Sequence, residues 1–130
     1  MRAVLISGRP EQKSGVEELT QRTNQALLLE TFAVIPEAEA FKRYARAHAP
    51  QVLFIDLETD FKAAMGFVEA VRAALPTLQV TGLLDEPQPR RIMEAMRAGI
   101  GEILYPPFDQ ELFREALERL EEAVRRGPRE

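Results

Sequence analysis

The sequence contains no cysteine, which excludes disulfides, thiol catalysis and cysteine-ligated metals. It holds a single histidine, His48, so a metal site built on imidazoles would lack a second ligand. At the end of a helical segment, a cationic side chain there suits the helix dipole. A basic excess is also missing: 17 Lys and Arg stand against 21 Asp and Glu, a formal net charge of −4. That balance gives no reason to expect nucleic acid or an anionic lipid surface as a partner. No stretch approaches the roughly 18 apolar residues of a membrane span. The opening MRAVLISGRP is too short in its apolar part for a signal peptide, and no small-residue cleavage site follows. The expectation is a soluble chain, and a small domain without disulfides fits the cytoplasm better than an oxidising compartment. Phosphate-binding motifs are absent too. There is no GxxxxGK[ST], and SGRPEQKSG after the first apolar run is no GxGxxG fingerprint. That segment reads as a strand-to-helix loop, in which Pro10 would disturb a helix start.

What is present is an ordinary globular composition. The chain has 130 residues, 45% apolar and 29% charged, enough for one domain with a genuine core. Two kinds of segment alternate along it. Brief aliphatic runs occur at Arg2–Gly8, Thr31–Pro36, Gln51–Leu57, Leu78–Leu84 and Gly101–Pro106. Several are apolar at consecutive positions, the pattern of strands covered on both faces. Between them lie segments of helical spacing. Val16–Glu30 follows a capping box, Ser14 to Glu17. Glu37–Ala49 carries Phe41, Tyr44, Ala45 and His48 on one side. Asp60–Leu75 has a stripe of Phe61, Ala64, Met65, Val68, Val71 and Leu75. Pro89–Ala98 stops at Gly99, a C-cap residue. Phe108–Val124 begins with Asp109 as N-cap and carries Leu112, Phe113, Ala116, Leu117, Leu120 and Val124.

Five strands alternating with five helices imply right-handed βαβ crossovers and a parallel sheet with helices on both faces. One domain over residues 1–124 is expected, with a charged tail or linker start at 125–130 (RRGPRE). In such sheets ligands sit beyond the carboxyl ends of the strands. The positions to interrogate are therefore Ser7, Gly8 and Arg9, then Asp56–Glu58, Leu84–Glu86, and Tyr105–Pro107.

The strand VLFIDLE ending in Asp56, Gly66 ten residues on, a helix ending MRAGI, the strand EILY and then PPFD together resemble the receiver domain of two-component response regulators. The resemblance implies a flavodoxin-like (βα)₅ fold with strand order 2-1-3-4-5. It also implies a phosphoryl-transfer site with an acidic pair for Mg²⁺ after strand one and the phospho-acceptor Asp after strand three. A hydroxyl after strand four and a Lys before Pro after strand five complete it. Phosphoryl transfer is catalysed mostly by positioning and charge neutralisation, so each part has a task. Only Asp56 matches. Ser7, Gly8 and Arg9 stand where the acids would be, Leu84 at or beside the hydroxyl position, and Pro106 at the Lys position. Mg²⁺ wants several oxygen ligands in near-octahedral geometry. Asp56, Glu58 and Asp85 do not follow the family's order, so no metal and no cofactor are expected unless Asp56 is a working phospho-acceptor.

FIDLETD, LQVTGLL and MRAGI followed by LYPPFD are similar to the degenerate receiver-like domains of the MinD/ParA-type ATPases of Tad/Cpa pilus assembly. That likeness implies a domain that is not an enzyme and acts in dimerisation and targeting, with ATP chemistry in a downstream domain. The alternative is a receiver phosphorylated on Asp56; a small-ligand binder at the strand ends is a third class, with nothing specific marking a ligand. In receivers the face of helix four, strand five and helix five is the usual partner surface. Here it offers Arg90, Arg91, Glu94 and Arg97, then Tyr105, then Glu111, Arg114, Glu115 and Glu118. Mixed charges of this kind allow a self-complementary two-fold contact. Ile92, Met93 and Met96 fit helix core or a helical interface. The family likeness further implies a cis bond at Pro106–Pro107. An unpaired buried carboxylate destabilises a fold, so Asp56 needs partners: Arg9 or backbone amides of the neighbouring loops are expected to supply them.

Overall fold

The computed structural model describes residues 1–127. Its five strands are β1 (Arg2–Ile6), β2 (Leu27–Phe32), β3 (Val52–Asp56), β4 (Gln79–Leu83) and β5 (Glu102–Leu104). They alternate with α1 (Pro10–Thr23), α2 (Ala38–His48), α3 (Phe61–Ala74), α4 (Pro89–Ala98) and α5 (Gln110–Arg126). All four strand pairings are parallel, in the order β2-β1-β3-β4-β5. This is the flavodoxin-like receiver architecture, and the order reverses between β1 and β3.

The consecutive apolar runs are explained by two cores, one on each face of the sheet. Alternate residues of a strand point to opposite faces. Val4, Ile6, Leu53 and Ile55 therefore join one core, with Phe41 of α2, Val68 of α3 and Ala95 of α4. Ala3, Leu5, Val52 and Phe54 join the other, with Leu19 of α1 and Phe113 of α5. Phe54 and Phe113 stack with ring centroids 5.8 Å apart. Every residue of β3 is buried, which fixes the height of Asp56 above the sheet.

The first third of the chain differs from the periodicity reading. α1 begins at Pro10, six residues before the expected start, with Arg9 as its N-cap residue and no side-chain cap bond. Ser14 and Glu17 are helix interior, so the capping box does not form. Pro10 favours this start rather than disturbing it, because at N1 its fixed φ is already helical and its missing N–H is no loss. Asn24, left-handed at φ 58°, closes the helix. The apolar LLLE of 27–30, which continues the helical spacing, is instead the beginning of β2. As an edge strand β2 is half-covered at best, and a register shift breaks the ladder between Ala3, which pairs with Leu28, and Val4, which pairs with Glu30. Such a strand lacks both the buried-run and the alternating signature.

Elsewhere the ends move little. Asp60 caps α3 by accepting from the Ala63 N–H at 3.1 Å, and Asp109 caps α5 through the Glu111 and Leu112 N–H groups; each such cap contributes about 1 kcal/mol. Gly99, at φ 104°, closes α4, a conformation that favours glycine. The bond between Pro106 and Pro107 is cis. α5 differs from the expected helix in two respects. The helix runs past its expected end at Val124, through Arg125 and Arg126 to a cap at Gly127; residues 128–130 of the expected tail lie outside the described residues. Leu112 is not in the core stripe but 61% exposed.

Candidate functional site

Three loops meet above the carboxyl ends of β1, β3 and β4. Asp56 is the last residue of β3, opposite Leu83 of β4, and only 7% exposed. Three donors serve its carboxylate. Oδ1 accepts from the Glu58 backbone N–H at 2.8 Å and from Gln12 Nε2 at 3.2 Å. Oδ2 accepts from the Thr59 hydroxyl. Gln12, itself 2% exposed, is held in turn by the Ser7 hydroxyl, which donates to its Oε1 at 2.7 Å. The Ser7 oxygen accepts from the Arg9 N–H at 3.2 Å. A chain of neutral groups thus surrounds the buried carboxylate, which is how burial of a charge becomes tolerable.

Arg9 does not pair with Asp56. Its guanidinium bonds Asp85 Oδ1 at 2.8 Å and Glu11 Oε1 at 2.8 Å. The Asp85 hydrogen bond holds this guanidinium above its ordinary value, against partial burial; the charges of Asp85, Glu11 and Asp56 add to the effect. The physical reason for the choice is access. Asp85 and Glu11 are half-exposed to well-exposed acids that a guanidinium reaches without deep desolvation, while Asp56 already has donors. The expected backbone-amide contact is present through Glu58. Gln12 is not legible in the sequence while SGRPEQKSG reads as a loop; with Pro10 as the first helical residue it falls on the inward side of the first turn.

The remaining parts of a phosphoryl-transfer site do not assemble. Leu84 is fully buried and offers no hydroxyl. Thr81 is buried two positions before Leu83, with no hydrogen-bond partner for its Oγ1. Pro106 is exposed and has no donor. Gly8 lies close under the end of β2, where a Cβ would stand 2.6 Å from the Ala33 carbonyl oxygen. The Glu58 and Asp85 carboxylates are engaged with partners other than Asp56. Glu58 Oε2 accepts from the Asp85 N–H and from Gln88 Nε2, both at 2.8 Å, and Asp85 faces Arg9. Among the described residues no three acidic, histidine or cysteine side chains gather into a set that could hold a metal ion. A Mg²⁺ ion of the receiver type therefore does not fit these residues. Beside Asp56 there is a cleft of about 410 Å³, walled by Ile6, Val34, Ile35 and Ala63.

The second candidate region is the sheet edge formed by α4, β5 and α5. Its charged residues are less available than the sequence suggests. Arg91 turns inward, 3.5 Å from Glu58 Oε1 and 5.1 Å from the centroid of the Phe61 ring. Arg114 pairs with Glu111 on its own helix. Arg119, which sequence reasoning did not single out, makes a two-pronged contact with Glu102 of β5 at 2.8 and 2.9 Å. Arg90, Glu94, Arg97, Glu115 and Glu118 remain exposed. Tyr105 is partly buried, which raises its phenol above the ordinary value. What the edge gains is apolar: Met93 is 56% exposed, Met96 49% and Leu112 61%. A groove of about 490 Å³ beside Leu112 runs along Tyr105, Pro106, Pro107 and Phe108.

No protein-family model and no curated protein matches the chain. Solved structures do. A CheY-like protein (tadZ) from Pseudomonas aeruginosa PAO1 superposes with a TM-score of 0.81 at 20% identity, covering 92% of each chain. The cpaE protein of Burkholderia thailandensis, named for pilus assembly, gives 0.80 at 20% identity over 94% of this chain and 98% of its own. The isolated receiver domain of RcsB from Salmonella enterica, solved with the phosphomimetic BeF₃⁻, gives 0.75 at 15% identity over 97% and 96%. At such identities the likeness establishes the fold. Among the described residues, no helix is long and apolar enough to cross a membrane.

Proposed function

We propose that this chain, with its receiver fold, works as a non-catalytic interaction module that pairs with a second copy of itself through the edge formed by α4, β5 and α5. One observation carries the reading: of the five large hydrophobic side chains that stand exposed among the described residues, Met93, Met96 and Leu112 belong to this edge. Apolar groups concentrated on one edge and rimmed by Arg90, Glu94, Arg97, Glu115 and Glu118 have the make-up of an isologous contact. The environment of Asp56 supports the non-catalytic part. Its oxygens are engaged by Gln12, Glu58 and Thr59, and no neighbouring acids, hydroxyl after β4 or lysine stand ready for a phosphoryl group. The resemblance to tadZ and cpaE extends the proposal to a partner class, a pilus-assembly or positioning ATPase of the MinD/ParA type that this module targets or regulates.

Incubation with acetyl phosphate and Mg²⁺, read by intact mass, should give no adduct. An adduct that disappears in Asp56→Asn would instead establish the phosphorylated-receiver alternative.

A further inference from the structure

α4 is the helix held least by apolar burial. Its buried residues are two alanines, Ala95 and Ala98, with Ile92 partly buried against the core. α2, by contrast, buries Phe41, α3 buries Phe67 and Val68, and α5 buries Phe113 and Leu117. The carboxyl end of α4 is anchored by Gly99 and by Ile100, which is 1% exposed. The amino end has no equivalent apolar anchor. Gln88 stands at the N-cap without a side-chain cap bond, because its amide is directed elsewhere.

That amide goes to Glu58. One carboxylate, on the loop after β3, accepts from the Asp85 N–H, from Gln88 Nε2 and, at longer range, from Arg91. Its backbone N–H donates to Asp56, so the loop that carries it is itself fixed to the end of β3. The Glu58 side chain is 19% exposed, and hydrogen bonds to an ionised acceptor in such a setting are roughly twice as strong as neutral ones. An anion near the first turn of α4 also complements the positive end of its dipole. From the other side, Arg9 bonds Asp85 and ties the loop after β4, which leads into α4, to the start of α1.

We infer that Glu58 is a strut: a carboxylate that sets the position of α4 from the loop after β3, so that the α4 surface carrying Met93 and Met96 is presented in one fixed form without any event at Asp56. The strut stands on the geometry alone; its effect on self-association rests on the pairing proposed above. Amide hydrogen exchange of the whole chain tests it. In Glu58→Ala, exchange within residues 92–98 should rise about tenfold or more, as expected for the loss of two hydrogen bonds to a charged acceptor. Exchange in β1, β3 and α5 should stay near that of the wild type. Glu58→Gln, which keeps an oxygen for the Asp85 and Gln88 donors, should restore most of the protection, and Asp56→Asn should leave α4 as it is. Unchanged exchange at α4 in Glu58→Ala would overturn the inference. So would an equal rise in every element, which would mark general destabilisation. Light scattering adds a separate arm. Where the wild type dimerises, Glu58→Ala should weaken the dimer and Asp56→Asn should not. A strictly monomeric wild type removes the pairing proposal, while the exchange result still decides the strut.

Discussion

Gln12 is the residue on which the chemistry of Asp56 turns. It joins the Ser7 hydroxyl to the Asp56 carboxylate, and an apolar replacement strands both. Gln12→Leu should lower stability by about 1–3 kcal/mol, the cost of leaving buried polar groups unsatisfied, as read by urea unfolding. Gln12→Glu should be worse, since it sets a second carboxylate beside Asp56. The two tyrosines allow a different measurement. Burial raises the phenol of Tyr44, helped by the charge of Glu30, and burial alone raises that of Tyr105. A raised folded-state value means that the native chain favours the neutral phenol. That contribution is fully present below the unfolded value of about 10 and is lost as pH rises through the folded values. Phenolate absorbance should therefore appear above pH 10 in the native protein, with stability declining over the same window and less so in Tyr44→Phe. Phenolate signal at or below the ordinary value would contradict the burial of both rings.

At the scale of elements, small residues at helix and strand ends decide the geometry. Ala49 closes α2 in the left-handed region, φ 49° and ψ 55°, which an L side chain adopts at a cost. Ala49→Gly should raise stability by about 0.5–1 kcal/mol. The reverse exchange at Gly8, Gly8→Ala, should lower it by about 1–3 kcal/mol, because the added carbon meets a backbone oxygen rather than a movable side chain. Thermal unfolding of the two variants should shift in opposite directions; shifts of the same sign would show that one of these local geometries is wrong. α1 and β2 show where the sequence pattern misleads. Their boundary follows from Pro10 and Asn24, while the apolar spacing of ALLLE extends the helix through what is an edge strand. For an edge strand only partly covered, with Phe32 against one core and Leu28 against the other, burial leaves a weak imprint on residue order.

For the whole molecule, the proposed pairing sets apolar groups at the centre of the contact and charge at its rim. Met93→Glu or Leu112→Glu should abolish self-association in sedimentation or light scattering while leaving unfolding near that of the wild type, since both side chains are already in solvent. Reversal at Arg97 should weaken pairing and make it more sensitive to salt. Arg91 is a poor probe of the surface, because its guanidinium faces Glu58 and Phe61. A monomer at every concentration would remove the interface.

The sequence by itself determined the parallel α/β order, because runs such as VLFID and RAVLI are apolar at consecutive positions only when helices cover both faces of a sheet. Through the resemblance to receivers it also identified Ser7, Gly8, Arg9, Leu84 and Pro106 as the residues standing where that family carries its acids, hydroxyl and lysine, since that comparison is a matter of residue identity. Only the tertiary structure decided which groups satisfy Asp56, where Arg9 and Arg91 turn, and that Glu58 braces α4. Those partnerships join residues far apart in the chain, such as Gln12 with Asp56 and Glu58 with Gln88. They depend on distances of a few ångströms that no periodicity in the sequence encodes.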